Sequence, residues 1–176
     1  TQLLDHAIKD GMREKRIYTS IDKHLQEKIL LSLERYHAEY NQHEVHNLAA
    51  IVVDVKTNQV ISYVGNTSDF NSKGTETSAV DCANARRSTG SILKPLLYAA
   101  AMQNGELSPE SILPDIPTHI SGFSPKNFNH SYDGAVKAKM ALARSLNIPM
   151  VRLLAQHGTH NFHEELKNLG FTTIDR

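Results

Sequence analysis

The sequence predicts an α+β fold in which helices pack around a β-hairpin. Three observations predict it. β-Branched runs from Leu48 to Val55 and from Gln59 to Val64 flank the short turn Lys56-Thr57-Asn58, which is the pattern of a hairpin. Leu25, Ile29, Leu33 and Tyr36 or Tyr40 recur at helical spacing from Asp22 onward, the mark of an amphipathic helix. The stretch that follows Gly90 is apolar nearly all round, through Leu96, Leu97, Tyr98 and the alanines to Met102, as a helix at the centre of a domain would be.

The remaining elements follow in chain order. Residues 1 to 17 are mixed and charged. Ser20 or Asp22 reads as the N-cap of the first amphipathic helix. Thr67 to Ser78 is rich in Ser, Thr, Asn and Gly and reads as a loop. The apolar helix is expected to end at Gly105, a suitable left-handed cap. Residues 108 to 133 hold four prolines and several Asn and Ser, so they read mostly as loop. Helices are expected over roughly 134–145, 148–157 and 161–169, with Asn161 and Glu164 as a capping box.

Composition excludes more than it assigns. At 176 residues and 40% hydrophobic the chain has the size of one domain. Nineteen basic residues balance nineteen acidic ones, so no electrostatic nucleic-acid binder is indicated. The single cysteine, Cys82, forms no internal disulfide and is expected to be a small buried residue. Ten histidines are many, but no His-Glu-x-x-His arrangement occurs. No metal or cofactor is expected, and the histidines read as solvated.

Chemistry concentrates at Ser91 and Lys94. Three residues apart at a helix start, they share one face, within reach of a side-chain hydrogen bond. A serine hydroxyl is a poor nucleophile until a base takes its proton. A lysine becomes such a base when burial disfavours its charged form. Ser-x-x-Lys alone is a weak pattern, and Ser20-Ile21-Asp22-Lys23 is a decoy better read as a helix cap. Ser145-Leu146-Asn147 adds weight. It falls where a helical pattern meets Pro149, at an interhelix corner. There a second hydroxyl could relay a proton, and an amide could hold a substrate carbonyl or the Lys94 amine. Asp81 and Arg86-Arg87 are expected to support the approach to the Ser91 helix.

Gly90-Ser91-Ile92-Leu93-Lys94-Pro95 followed by Ser145-Leu146-Asn147 resembles the first two active-site motifs of the penicillin-binding transpeptidases, serine acyltransferases that share a fold with the serine β-lactamases. Thr19-Ser20-Ile21-Asp22 with Leu25-Gln26 is similar to the transpeptidase entry of the class A, bifunctional members. Ala49 to Gly65 resembles the first hairpin of their transpeptidase domain. Asp115-Ile116-Pro117, the run from Gly122 to Phe128, and Ser145 to Pro149 look most like the penicillin-binding protein 1C subgroup.

The resemblance implies a partial transpeptidase fold: residues 1–17 a connector, residues 18–176 the N-terminal portion of the domain, and the C-terminal sheet strands missing. It implies that Ser91 attacks the D-Ala-D-Ala carbonyl of a peptidoglycan stem peptide, with Lys94 as base, Ser145 passing a proton and Asn147 orienting substrate. β-Lactams would acylate the same serine. The family's third motif, Lys-Thr-Gly, does not occur; Lys73-Gly74-Thr75 has the wrong order. The expectation is therefore an excised piece, inactive alone and open to self-association through its hairpin edges. Its parent would be extracytoplasmic and membrane-anchored. Rival readings are a β-lactam sensor or β-lactamase, and a non-catalytic interaction domain.

Overall fold

A computed structural model describes residues 2–67, 80–120 and 122–174. The loop expected at Thr67 to Ser78 lies, but for Thr67, outside the described residues, as does Lys73-Gly74-Thr75. The chain divides into two units, Thr1–Arg86 and Arg87–Arg176.

The first unit is a hairpin with one long helix. Helix α1 (Gln2–Ala7) runs on into a π-helical turn, Ile8–Met12. Helix α2 (Lys23–Tyr40) starts at Asp22, whose Oδ1 accepts the Leu25 N–H at 2.8 Å, so Asp22 rather than Ser20 is the cap. Strands β1 (Ala50–Val53) and β2 (Val60–Val64) pair antiparallel, with Ile51 opposite Tyr63 and a bulge between Val52 and Val53. Asp54 shapes the turn: its Oδ1 accepts from the N–H groups of Lys56 and Thr57.

The expectation of open strand edges is corrected on one side. The Gln26 amide lies along the outer edge of β2 as a further strand would. Its Nε2 donates to Tyr63 O at 2.9 Å, and its Oε1 accepts from Tyr63 N at 2.8 Å and Ser62 Oγ at 2.9 Å. Ser20 Oγ donates to Val60 O and the Asp22 N–H donates to Ile61 O. Asp81 serves this unit too: Tyr63 OH donates to its Oδ2 at 2.6 Å, and His6 Nε2 lies 2.5 Å from the same oxygen. Cys82 is half-buried rather than fully buried, with its N–H on Gly65 O.

The second unit holds a second sheet that the spacing did not predict. A 3-10 turn, Gly90–Leu93, leads into α3 (Lys94–Gln103). Strand β3 (Ile112–Asp115) pairs antiparallel with β4 (Gly134–Lys137), Leu113 facing Val136. Residues 134–137 are thus strand, not helix, and α4 begins only at Ala138 (Ala138–Ala143). The reason is burial: β4 brings Val136 into the core beside Ala138 and Ala141, where a helix over the same four residues would forfeit the ladder to β3. Helices α5 (Asn147–His157) and α6 (Thr159–Asn168) complete the unit.

The core gathers Leu97, Tyr98 and Ala101 of α3 with Met150, Leu153, Phe162 and Leu166. α3 buries this one face only; Pro95, Ala99 and Met102 are exposed, although the sequence reads as apolar all round. Asn161 is no cap. It lies inside α6 and donates from Nδ2 to His157 O. His157 is not solvated either. Its side chain has no exposed surface, and its ring nitrogens sit 3.0 Å from Glu106 Oε2 and 3.0 Å from Glu165 Oε2. Burial pushes this imidazole toward neutrality, but the two carboxylates outweigh it and its pKa lies above the ordinary histidine value. No helix of the described residues is long and apolar enough to cross a membrane.

Candidate active site

Ser91 stands in the 3-10 turn, not in an α-helical one, and Pro95 explains why. An α-helix would give the Ser91 carbonyl the N–H of residue 95, which proline lacks. The carbonyl instead takes the Lys94 N–H, three residues on. In such a turn side chains three apart eclipse, so Ser91 and Lys94 still share a face.

Lys94 Nζ makes three hydrogen bonds: to Ser145 O at 2.7 Å, Ser145 Oγ at 3.1 Å and Asn147 Oδ1 at 2.7 Å. Each of the three ammonium hydrogens has an acceptor, and all three acceptors are neutral. Among the described residues no carboxylate pairs with Lys94, and its pKa lies below the ordinary 10.5 because burial disfavours the charged form. The structure thus brings Lys94, Ser145 and Asn147 into direct contact. Ser91, Lys94 and Asn147 line a cavity of about 940 Å³ together with Phe123 and Met150. The exposed Ser91 hydroxyl makes no hydrogen bond among the described residues, to Lys94 or to any other group.

The corner that presents Ser145 is a helix end. The Ser145 N–H bonds Leu142 O and the Leu146 N–H bonds Ala141 O, the pair of bonds that closes a Schellman motif. The helix ends at Gly105 and Gly170 close in the same way around a left-handed glycine. Here the left-handed residue is Ser145, at φ +52°. A side chain in that conformation costs roughly 1–2 kcal/mol, and the return is that both the carbonyl and the hydroxyl of Ser145 meet one amine.

The spacing singled out neither Asp115 nor Asn127 for a part in this site. Both lie in runs that the sequence marked only for their subgroup resemblance, and their burial shows only in the structure. Asn127 Oδ1 accepts from the N–H groups of Asn147 at 2.9 Å and Ile148 at 3.3 Å, and Asn147 Nδ2 donates to Lys126 O at 2.8 Å.

The fold and site define a class. The family described as the penicillin-binding protein transpeptidase domain matches residues 48–175, and the chain belongs to that family. Among curated relatives it is similar to penicillin-binding protein 1C of Escherichia coli K12, 38% identical over 124 residues, which cover 70% of this chain and 16% of the relative. Among solved structures it is similar to penicillin-binding protein 1A from Haemophilus influenzae, 30% identical with a TM-score of 0.61, covering 72% of this chain and 19% of that one. The fold is also that of the PonA1 protein from Mycobacterium tuberculosis, solved with penicillin V, at 19% identity and a TM-score of 0.71 over 99% of this chain and 45% of that one. The chain therefore spans about 16% of the length of the curated relative.

Proposed function

We propose that this chain is the N-terminal portion of the D,D-transpeptidase domain of a bifunctional cell-wall synthase, with residues 1–17 as the connector from a preceding domain. The whole protein would act outside the cytoplasm, held by a membrane anchor, and cross-link peptidoglycan stem peptides. Ser91 Oγ attacks the carbonyl carbon of D-Ala-D-Ala while its proton passes to Lys94 Nζ. The tetrahedral intermediate collapses, the amide C–N bond breaks, and the terminal D-Ala leaves with a proton relayed through Ser145 Oγ. The amine of a second stem peptide then attacks the acyl carbon, the ester bond to Ser91 Oγ breaks, and the proton lost by the amine returns to Ser91 Oγ through Lys94 Nζ. Asn147 orients the substrate and holds the base.

One observation carries this reading: a half-buried lysine with neutral acceptors only, beside an uncommitted serine hydroxyl. As an ammonium, Lys94 spends all three hydrogens on Ser145 and Asn147. As a neutral amine it has two hydrogens and a lone pair, so both partners can be kept while the lone pair turns to Ser91. Burial favours that neutral state.

β-Lactams, which mimic the dipeptide, would acylate Ser91 in the same way. The test is labelling of the full-length protein with a fluorescent penicillin and mapping of the labelled peptide by mass spectrometry. Label is expected on the peptide holding Ser91, and Ser91→Ala abolishes it. Label elsewhere, or retained in that variant, overturns the reading; rapid hydrolysis of the adduct identifies a β-lactamase instead. The 176-residue chain alone contains no Lys-Thr-Gly and is expected not to turn over stem peptide.

A further inference from the structure

Helix α5 begins with an unusual shortage of caps. Its N-cap is Leu146, which offers no side-chain acceptor. Pro149, in the first turn, has no N–H to satisfy. Two N–H groups therefore need an acceptor from elsewhere, those of Asn147 and Ile148. Asn127 supplies one oxygen to both, from a point twenty residues earlier in the chain.

Asn127 is itself tightly held. It is 2% exposed. Its two Nδ2 hydrogens go to Asp115 Oδ1 at 2.8 Å and to Ser131 O at 2.9 Å. With two bonds donated and two accepted, the amide can sit one way round only. Asp115, at the end of β3 and 0% exposed, accepts with its other oxygen from the Asp133 N–H at 2.9 Å. The neighbouring Lys126 carbonyl takes Asn147 Nδ2, and that bond turns Asn147 Oδ1 toward the Lys94 amine.

We infer that Asn127, seated on the buried Asp115, is a positioning residue for acyl transfer, fixing the start of α5 and the orientation of the Asn147 amide that holds the Lys94 base. The inference rests on the acyl-transfer reading above. Asn127 touches neither the base nor the nucleophile; it acts through the backbone of Asn147 and through the carbonyl next to it. A buried amide serves where a hydroxyl would not, because two acceptors, Asp115 Oδ1 and Ser131 O, each need a hydrogen and a hydroxyl has only one.

Two measurements on the full-length protein test it: the second-order rate of acylation by a fluorescent penicillin, and trace labelling of Lys94 by acetic anhydride relative to the exposed Lys28. Asn127→Asp places an acceptor against Asp115 and Ser131 O. It is expected to slow acylation by ~100-fold, as a misplacement near 1 Å does, and to raise Lys94 labelling several-fold. The reciprocal pair Asp115→Asn with Asn127→Asp restores a donor opposite an acceptor and is expected to recover at least about ten-fold of the lost rate. Circular dichroism establishes folding. If Asn127→Asp does not fold, the smaller and uncharged Asn127→Ser carries the same expectations for rate and labelling.

A folded variant with wild-type acylation and wild-type Lys94 labelling overturns the inference, as does a folded swap no faster than the single variant. If the wild-type protein takes no label at Ser91, the transpeptidase reading fails. Lys94 labelling then still decides whether Asn127 positions the amine.

Discussion

The Ser145 carbonyl lies 2.7 Å from the Lys94 amine, and Ser145 holds it there from the left-handed conformation that glycine takes at the helix ends of Gly105 and Gly170. Backbone and hydroxyl are thus separate contributions from one residue. Ser145→Gly removes the hydroxyl but suits the backbone. It is expected to leave the Lys94–carbonyl bond in place and to raise the thermal midpoint through relief of ~1 kcal/mol. Ser145→Ala removes the hydroxyl and keeps the strain, so it is expected to melt below the glycine variant. Both should acylate with penicillin more slowly than wild type. An alanine variant more stable than the glycine one would show that the strain is not where the φ angle puts it.

The pH dependence follows from the state Lys94 must be in. A general base works only unprotonated, so acylation rises with pH through the pKa of Lys94. Burial lowers that pKa from 10.5; the midpoint of the rise is therefore expected below 10.5, where an exposed lysine would leave it at or above that value. The same sign governs stability. Burying this lysine charged costs stability at low pH, and the cost is relieved as pH rises through the lowered pKa. Lys94→Arg keeps a cation that cannot give up its proton, and is expected to slow acylation by roughly 10²–10⁴-fold. Stopped-flow acylation over a pH series, in wild type and variant, measures both.

Gln26 decides whether β2 presents an edge. Gln26→Ala leaves Tyr63 N and O without partners on that side, an expected loss of ~1–3 kcal/mol by the cost of unsatisfied polar groups. It also exposes a strand edge that can pair with another chain. Denaturant midpoints read the first effect. Light scattering after size exclusion reads the second, with a shift to dimers or larger species expected in the variant. An unchanged monomer with an unchanged midpoint would mean that water replaces the amide without cost.

Much of the first unit was legible in the sequence. The hairpin, its turn and α2 with its Asp22 cap depend on residues within a few positions of one another. The second sheet was not legible, since Ile112–Asp115 contains Pro114 and Gly134–Lys137 is only four residues long. Neither looks like a strand until the other lies beside it. The expectation of solvated histidines failed at His157 for a related reason. His157 is ionically satisfied by Glu106 and Glu165, which sit before α5 and within α6, and no local pattern announces that.

Sequence by itself determined that Ser91 and Lys94 share one face, because a three-residue separation does so in a 3-10 or an α-helical turn alike. It also determined that Ser145 and Asn147 flank a corner, because Pro149 must restart a helix nearby. Tertiary structure alone decided which atoms the amine touches: Ser145 and Asn147, with Ser91 left uncommitted. It alone decided that a distant buried amide, Asn127, caps the helix bearing Asn147. The physical reason is range. Backbone propensities act over a few residues, whereas the need to satisfy buried N–H, C=O and ammonium groups is met by whichever partners packing brings close, however far apart they lie in the chain.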